Sequence, residues 1–598
     1  MKEKLFLLGK SLLTAYAFLT VFHEPLSAVQ YESTIDYLIA CGYELLGNYD
    51  FRIILIGLIC GGFYTYLSKK DFAARNSHPV LAGLLSAFLL IGNSYYENGS
   101  WAYCFGSFVN FIKFAGAFLG YSFLLHGLLM WLGDFLDKGQ MVSEKPHFFS
   151  KRGFWKAFFI LIGAYMPFLI LSYPGNLCWD AIGQIEQVIL GSGYSSHHPL
   201  VHTLIMGGIV ELGYILFHSY EIGVFMYMLL QLTVFAAALA STVWLLAKRG
   251  VNGTILKCLA GLYAIAPIYS NMASTVIKDV PFVSFVIGYV ICVSLLLESP
   301  QKLRRKGFVA IFILLQLGVI LFRNNGIYVV CIGGVIIAAY LWKGCSSKKR
   351  LQNIIVLFAA SVLISKIILA ILVQLLNAVP GSTGEMLSIP FQQTARYLQL
   401  YRTELTMEER EAIETVLGDV NTVAAKYDPD ISDPVKALFN KDASGGELFA
   451  YFKTWFICFW KHPLVYIEAF FQHVYGWFHP GVTNAIRYET QYDLIRQEGL
   501  FPQASKLVLF YYRFANRFTP LGILENVGLY VWGLIYMTVY NWKRKAVAQN
   551  MMFVPLWISL LICMASPCFF LHPRYAFPIM FTLPFLICFM ISSKRERN

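Results

Sequence analysis

A polar stretch between residues 172 and 203 carries residue types suited to proton transfer. Asp180 follows the turn-forming pair Pro174-Gly175, and the histidines His197, His198 and His202 follow it. A carboxylate in such a setting can accept the proton of a hydroxyl group as a general base. The alternative is that Asp180 caps the helix that follows, which is a common role for Asp. The nearby histidines favour a polar site.

Three further clusters contain cations that suit a phosphate group. The clusters are Lys278-Asp279, Arg323 before Asn324-Asn325-Gly326, and Arg574-Tyr575 after His572-Pro573. An Arg guanidinium presents a planar fork of donors that matches phosphate oxygens. The alternatives are that Lys278 and Asp279 neutralise each other and that Arg323 anchors the end of a helix.

A fifth cluster combines amides with a guanidinium after Pro390. Its polar residues are Gln392, Gln393 and Arg396. Gln392 and Arg396 are four residues apart, so on a helix they share one face.

The elements that position these clusters are membrane helices, because the composition excludes a set of soluble domains. Of the 598 residues, 57% are hydrophobic and only 14% are charged, whereas roughly a quarter are charged in a soluble domain. Apolar stretches of about 20 residues, each able to cross roughly 30 Å of hydrocarbon, recur along the chain. The net charge of +12 does not indicate a nucleic-acid partner, because the basic residues lie between apolar stretches and form no continuous face. The sequence therefore predicts an all-α polytopic membrane protein.

Basic clusters set the expected topology, since cytoplasmic loops collect Lys and Arg. An even number of crossings between neighbouring clusters predicts about 14 transmembrane helices with both termini cytoplasmic. The segment 198–217 is then an external juxtamembrane helix, because a crossing there would place Lys248-Arg249 outside. The basic clusters alone set this topology, yet it places all the polar clusters on the extracytoplasmic face. This one-sidedness indicates a functional site.

Several of these features resemble the GT-C superfamily of membrane glycosyltransferases, which includes the protein mannosyltransferases and lipid A aminoarabinose transferases. Asp180 matches the acid of the first large loop, His198-Pro199 matches a His-Pro turn, and 198–217 matches the juxtamembrane helix. Arg574-Tyr575 is similar to an Arg-Tyr pair that opens a late crossing in several bacterial members. Four motifs are also similar to an uncharacterised bacterial branch related to the superfamily: Tyr173-Pro174-Gly175, Lys278-Asp279, Arg323-Asn324-Asn325-Gly326 and Pro390-Phe391-Gln392-Gln393.

The resemblance covers about residues 150–598 and predicts four regions. Residues 1–150 form an N-terminal module of four membrane helices without a counterpart in the superfamily. Residues 151–376 form a GT-C-like transmembrane core with the external loop 174–221. Residues 377–520 form an extracytoplasmic helical region, and residues 521–598 form the C-terminal transmembrane helices.

The resemblance implies an inverting sugar transfer at the outer face of the cell membrane. The donor would be a polyprenyl-phosphate-linked sugar, and the acceptor a glycan, lipid or protein of the cell envelope. The implied catalytic residues are Asp180, Asp279 and His198, with Asp180 as the general base. The implied substrate-binding residues are Lys278, Arg323, Gln392, Gln393, Arg396, Arg574, Tyr575, His197 and His202.

One departure from the superfamily concerns a metal. Many members carry two adjacent acidic residues in the first loop, whereas Asp180 stands alone here and Glu186 comes further on. The sequence therefore leaves open whether a divalent cation, Mg²⁺ or Mn²⁺, takes part.

The alternative function is that of a flippase, exporter or polymerase of lipid-linked glycans. Transporters tend to place charges at mid-membrane and often contain internal repeats. The apolar stretches here contain few charges and show no repeat, which favours the transferase. A polymerase would share the outer-face site and the basic contacts to phosphate.

Overall fold

Helices form nearly all of the regular structure in the computed structural model of the protein. It describes residues 2–27, 30–31, 33–46, 51–138, 142, 147–343, 348–481, 492, 494–495, 502–517, 519–565 and 573–592. Apolar segments fold as helices in a membrane because each helix satisfies its own backbone hydrogen bonds. Within these residues, the sheet structure is a parallel pair of two-residue strands, β1 (Asn176–Leu177) and β2 (Thr275–Val276). The predicted all-α membrane fold is confirmed.

Eight helices among the described residues are long and apolar enough to cross a membrane. They are Ala74–Asn98, Phe108–Lys138, Gly153–Leu171, Leu200–Phe217, Tyr220–Lys248, Asp279–Glu298, Gln352–Leu376 and Pro573–Ser592. A ninth span results if Gly253–Ile265 and Pro267–Ala273, which meet at a bend of 53°, are counted together. The protein is thus a multi-pass membrane protein, and the count of 14 crossings stays a prediction. The basic pair Lys594-Arg595 near the predicted cytoplasmic C-terminus lies outside the described residues.

The first 138 residues form a helical module. Its helices are α1 (Lys2–Leu19), α2 (Thr34–Leu46), α3 (Arg52–Ser68), α4 (Pro79–Asn98), α5 (Ala102–Phe105) and α6 (Phe108–Lys138). α1 packs on α3 and α6, and α4 also packs on α6. The module is joined to the rest of the chain by Asp137, which accepts from Tyr540 Oη at 2.8 Å and pairs with Arg544 at 2.6 Å.

The next ten helices contain the central element of the fold. They are α7 (Gly153–Leu171), α8 (Trp179–Ile189), α9 (Leu200–Phe217), α10 (Tyr220–Lys248), α11 (Gly253–Ile265), α12 (Pro267–Ala273), α13 (Asp279–Glu298), α14 (Lys306–Leu321), α15 (Gly326–Lys343) and α16 (Lys348–Leu376). The central helix is α13, which packs against α10 and α14. Its first and last residues define the two ends of the bundle, called below the Asp279 end and the Glu298 end.

α9 packs closely on the beginning of α10. Gly213 and Val210 of α9 lie against Gly223, and His202 bonds to Tyr227. α9 is apolar and long enough to cross a membrane, and its placement as an external juxtamembrane helix stays a prediction.

A set of shorter helices with its own apolar core follows α16. The helices are α17 (Ser388–Tyr401), α18 (Met407–Leu417), α19 (Val420–Ala425), α20 (Asp433–Lys436), α21 (Gly445–Lys461) and α22 (Pro463–Phe478). Capping boxes begin two of them, Thr406 with Glu409 at α18 and Ser444 with Glu447 at α21. α22 then leaves this set and runs beside α4, where Phe471 stacks on Phe88 with ring centroids 5.4 Å apart.

The remaining helices return the chain to the central bundle. They are α23 (Pro502–Arg517), α24 (Thr519–Gly522), α25 (Val527–Lys543), α26 (Val547–Met552), α27 (Val554–Ala565) and α28 (Phe577–Ser592). α28 packs on α13, α25 and α10. It starts at the Asp279 end, and this brings the preceding turn, Pro573–Ala576, beside the first residues of α13.

Candidate active site

The strand pair β1–β2 holds two distant parts of the chain side by side. Asn176 pairs with Thr275 and Leu177 pairs with Val276. Gln231 of α10 donates from Nε2 to the Thr275 carbonyl at 2.8 Å and fixes the pair to the bundle. Each strand runs into the start of a helix, α8 after β1 and α13 after β2. Two helix N-termini therefore meet at the Asp279 end.

Asp180, in the first turn of α8, contacts two cations. Its Oδ2 lies 2.7 Å from Lys278 Nζ and 2.9 Å from Arg574 Nη2. Lys278 Nζ also donates to His198 Nδ1 at 3.0 Å. These four residues come from four separate segments of the chain. The predicted role of Asp180 as a mere helix cap does not account for this convergence, because neither cation belongs to α8.

Asp279, the first residue of α13, forms a second and deeper carboxylate centre. It is fully buried, and its Oδ1 lies 2.5 Å from Arg323 Nη1. Its Oδ2 lies 3.8 Å from Arg574 Nε, so Arg574 contacts both carboxylates. Lys278 pairs with Asp180 rather than with Asp279, which argues against simple neutralisation of neighbours. The burial of Asp279 suits a residue that positions Arg323 and Arg574 rather than one that touches a substrate.

The turn between α14 and α15 places Arg323. Gly326 is required there, because a Cβ at this position would lie 1.9 Å from the Val319 carbonyl oxygen. The Arg323 guanidinium lies 4.3 Å from the centre of the Tyr575 ring and 5.4 Å from that of Phe282. Stacking on aromatic faces holds a guanidinium plane in a fixed orientation. Arg323 is thus a buried part of the site and not an exposed anchor of a helix end.

The three predicted histidines have different surroundings. His198 lies in the site through its bond to Lys278, and His202 Nε2 is 2.7 Å from the buried Tyr227 hydroxyl. His197 is exposed and stacks edge-on against His198, with ring centroids 4.6 Å apart. Asn324 Nδ2 donates to the His197 carbonyl at 3.1 Å. The histidine loop is therefore attached to the same turn that carries Arg323.

The protonation states of Asp180 and His198 follow from their neighbours. Burial alone would raise the pKa of Asp180, but the Lys278 and Arg574 cations hold that pKa well below its usual range. Burial lowers the pKa of His198 to about 3, and the Lys278 charge acts in the same direction. At neutral pH Asp180 is therefore a carboxylate, and His198 is a neutral imidazole that accepts a hydrogen bond from Lys278.

The site carries a net positive charge. Three cations, Lys278, Arg323 and Arg574, face two carboxylates, Asp180 and Asp279. The N-termini of α8 and α13 add partial positive charge. An anion such as a phosphate group is the ligand that this arrangement favours.

The same donor set argues against a divalent cation at Asp180. Among the described residues, no group of three His, Cys, Asp or Glu side chains is placed to hold a metal ion. Both carboxylates of the site already contact Lys or Arg side chains, which would repel Mg²⁺ or Mn²⁺. The residues around Asp180 therefore do not fit a metal.

The structure places the predicted cluster after Pro390 in a different setting. Gln392 Nε2 donates to the Asp428 carbonyl at 2.6 Å, and Gln393 Nε2 donates to the Tyr466 carbonyl at 3.0 Å. Arg396 lies 3.6 Å from Glu468. These contacts hold α17 within the helical set α17–α22. These contacts give no support to the predicted role of the three side chains in binding the acceptor.

Sequence reasoning missed two residues that complete the site. Tyr227 binds His202, and the Phe282 ring lies beside Arg323. Both lie inside apolar stretches, where an aromatic residue carries no signal of its own. His572, which precedes Arg574 in the predicted cluster, lies outside the described residues.

The comparison with protein families gives one match. A family model described as "Family of unknown function (DUF6020)" matches residues 192–598, which include His198, Lys278, Asp279, Arg323 and Arg574. No curated protein and no solved structure matches the chain.

Proposed function

The chain belongs to the DUF6020 family, and we propose that it transfers a sugar from a polyprenyl-phosphate-linked donor to an acceptor of the cell envelope. The observation that supports this proposal is the convergence of Lys278, Arg323 and Arg574 on Asp180 and Asp279. A donor of this kind contains a phosphate next to the bond that breaks. The net positive charge of the site suits both that phosphate and the charge it gains on leaving.

Phosphate binding and activation of Asp180 are coupled in this proposal. A carboxylate that shares two cations is a weak base, since both cations stabilise its charged form. When the donor phosphate takes Lys278 and Arg574 as partners, Asp180 loses that stabilisation and becomes a stronger base. The presence of the donor thus prepares the base for the acceptor.

The reaction is a single inverting displacement. The acceptor hydroxyl oxygen attacks the anomeric carbon on the face opposite the phosphate, and the carbon–oxygen bond to the phosphate breaks. Asp180 takes the hydroxyl proton, and the polyprenyl phosphate leaves with the bonding electron pair. Lys278 and Arg574 stabilise the charge that develops on the departing phosphate, an effect typically worth 10²–10³-fold in rate per donor.

Asp279 and His198 have supporting roles. Asp279 holds Arg323 at 2.5 Å and approaches Arg574, so it keeps two guanidinium groups aimed at the phosphate. Neutral His198 orients the Lys278 ammonium through its Nδ1. Asp279 is a positioning residue in this scheme, whereas Asp180 touches the reacting hydroxyl.

The proposed location is the cell membrane, with the site on the extracytoplasmic face and both termini in the cytoplasm. The basic residues Lys248, Arg249 and Arg304 lie at the Glu298 end. Loops that are rich in Lys and Arg usually face the cytoplasm. The site lies at the opposite, Asp279 end. A lipid-linked donor and an envelope acceptor would both reach it there.

The test compares Asp180→Asn with Glu186→Gln, a change of the same kind further along α8. Envelope glycans of a deletion strain complemented with each variant are analysed by composition and mass. We expect Asp180→Asn to lose sugar transfer by at least 10²-fold and to accumulate unmodified acceptor with unused lipid-phosphate sugar. Glu186→Gln should restore wild-type glycans. Undiminished transfer by Asp180→Asn at normal membrane levels would contradict the proposal.

The broken helix α11–α12 favours a second candidate, the flipping or export of a lipid-linked glycan. The two halves meet at 53°, and α12 buries Ser270 and Asn271 directly before β2. Discontinuous helices of this kind line substrate paths in many transporters. A transporter would move a lipid-linked glycan to the outer leaflet without changing its mass, so an unchanged glycan that is trapped inside would favour this function. A polymerase would instead shift the length distribution of the product.

A further inference from the structure

An open pocket lies at the Glu298 end, between the start of α7 and the end of α10. It has a volume of about 520 Å³ and is lined by the cations Arg152 and Lys248, by Trp155 and Trp244, and by Ser150 and Ser241. Tyr227, beside the active site, and Lys248 are 21 residues apart on α10, which corresponds to about 30 Å. A ligand headgroup in this pocket is therefore separate from the proposed donor phosphate.

The two cations of the pocket differ from their neighbours in lacking an acidic partner. Arg249, next to Lys248, pairs with Glu298 at 2.6 Å, and Arg544 pairs with Asp137 at the same distance. Within the described part of the chain, no acidic side chain pairs with Arg152 or Lys248. Lys248 Nζ instead lies 4.1 Å from the centre of the Trp244 ring. Among the described residues, the two positive charges of the pocket are thus left for a ligand or solvent to balance.

Arg152 lines the pocket from a strained backbone conformation. Its φ is 53°, in the left-handed region that residues with a Cβ seldom adopt. The next residue, Gly153, begins α7 and is buried, and the pocket is lined from both α7 and α10. Costly backbone conformations are retained where the surrounding structure fixes them, often at binding sites.

The aromatic residues identify the kind of ligand. Trp155 and Trp244 are 55% and 38% exposed, each at the end of a helix that is able to cross a membrane. Tryptophan in such places lies at the level of lipid headgroups. Basic pockets between membrane helices on the cytoplasmic side bind anionic headgroups.

We propose that this pocket binds an anionic phospholipid of the surrounding membrane, with its phosphate between Arg152 and Lys248 and its acyl chains along Trp155 and Trp244. Ser150 can donate its hydroxyl to the same phosphate. The ligand stabilises the contact between α7 and α10. This site is independent of sugar transfer, and it holds if the proposed function fails.

The test measures lipid binding to the full-length protein in detergent by native mass spectrometry. Phosphatidylglycerol and phosphatidylcholine are titrated separately, and inorganic phosphate is added as a competitor. We expect the wild-type protein to prefer phosphatidylglycerol, and phosphate alone to leave that binding unchanged. The double variant Arg152→Gln/Lys248→Gln should bind phosphatidylglycerol about 30-fold more weakly.

The matched control is Arg304→Gln/Arg305→Gln, which removes two exposed charges from the same end of the bundle. It should bind phosphatidylglycerol like the wild-type protein. Equal losses in both double variants would overturn the proposal, and so would equal binding of the two lipids or displacement by free phosphate. If the double variant does not fold, Lys248→Gln alone and the wild-type lipid preference still decide the matter.

Discussion

At the scale of single residues, the buried pair Asp279–Arg323 is the least replaceable feature of the site. Asp279 is fully buried and Arg323 nearly so, with 7% of its side chain exposed. Breaking a buried pair leaves an uncompensated charge and typically costs about 3–5 kcal/mol. We therefore expect Asp279→Asn to lower the free energy of unfolding by that amount, as measured by denaturation in mixed detergent micelles.

The double variant Asp279→Asn/Arg323→Gln separates the charge effect from packing. It should recover much of the lost stability, because neither charge is left alone. The exposed pair Arg410–Glu414, with side chains 38% and 36% exposed, provides the control. Glu414→Gln should cost less than about 1 kcal/mol. Equal costs for Asp279→Asn and Glu414→Gln would contradict the assignment of a buried charge centre.

His198 makes the stability of the protein depend on pH. Its folded pKa of about 3 lies below the ordinary value of about 6.5, because burial and Lys278 disfavour the imidazolium. Between these pH values the unfolded chain binds a proton that the folded chain does not. Protonation of His198 in the unfolded chain therefore lowers the free energy of unfolding on acidification. The full stability is present above pH 6.5, and it falls by up to about 2 kcal/mol between pH 7 and pH 5.

The measurement is the melting temperature of the purified protein at pH 7 and pH 5. His198→Asn, which keeps an acceptor for Lys278, should lose less stability on acidification than the wild-type protein. His218→Asn changes an exposed histidine and should follow the wild-type curve. If His198→Asn and wild type respond identically to pH, His198 is not held neutral in the folded protein.

At the scale of elements, the packing of α9 on α10 depends on a close backbone approach at Gly213 and Gly223. A Cβ at Gly213 would lie 2.2 Å from the Gly223 Cα, whereas nothing lies within 4 Å of a Cβ at Gly208 on the same helix. Gly213→Val should push α9 away from α10 and separate His202 from Tyr227. We expect a loss of about 1–3 kcal/mol in stability and reduced sugar transfer.

Gly208→Val introduces the same side chain into α9 and has the same helix propensity. It should leave both the melting temperature and the transfer rate near the wild-type values. A similar loss in both variants would show that helix propensity, and not the close approach of the two helices, is responsible.

The pairing of β1 with β2 and the packing of α17 could not be predicted from the sequence. The strand pair β1–β2 that joins Asp180 to Lys278 has two residues per strand, too few for a recognisable alternation. The spacing of Gln392 and Arg396 correctly indicates one helix face, but spacing does not reveal what covers that face. The structure covers it with residues of the same helical set.

At the scale of the whole molecule, the two ends of the bundle carry different sets of charged residues. The acidic and basic groups of the site converge at the Asp279 end, while the loops at Arg249 and Arg304 lie at the Glu298 end. Positive-inside statistics predict a cytoplasmic location for the Glu298 end. We therefore expect the Asp279 end to be accessible from outside the cell and the Glu298 end to be accessible only from the cytoplasm.

Single cysteines at two exposed positions test it. Lys441→Cys, in the helical set α17–α22, should react with a membrane-impermeant maleimide in intact cells. Arg304→Cys should react only after permeabilisation, and the wild-type protein gives the background from its native cysteines. The reverse pattern would place the site in the cytoplasm.

Much of the site was nevertheless predictable at this scale. Asp180, Lys278, Arg323 and Arg574 stand out because each is a charge at the end of an apolar stretch, and the topology places all four on one face. Their pairing was not predictable, since adjacency in sequence joins Lys278 to Asp279 while the fold joins it to Asp180. The total number of crossings stays a prediction, because α9 is apolar and long enough to cross a membrane, whereas the basic clusters predict that it does not cross.

The position of Arg574 has a consequence for how the protein is made. Arg574 follows Asp180 by 394 residues, since 574 minus 180 is 394, yet it contacts Asp180 directly. At ribosomal speeds of roughly 5–20 residues per second, Asp180 waits about 20–80 s for this partner. Asp279 and Arg323 are translated much closer together. Nascent chains interrupted before Arg574 therefore lack the residue that contacts both carboxylates of the site.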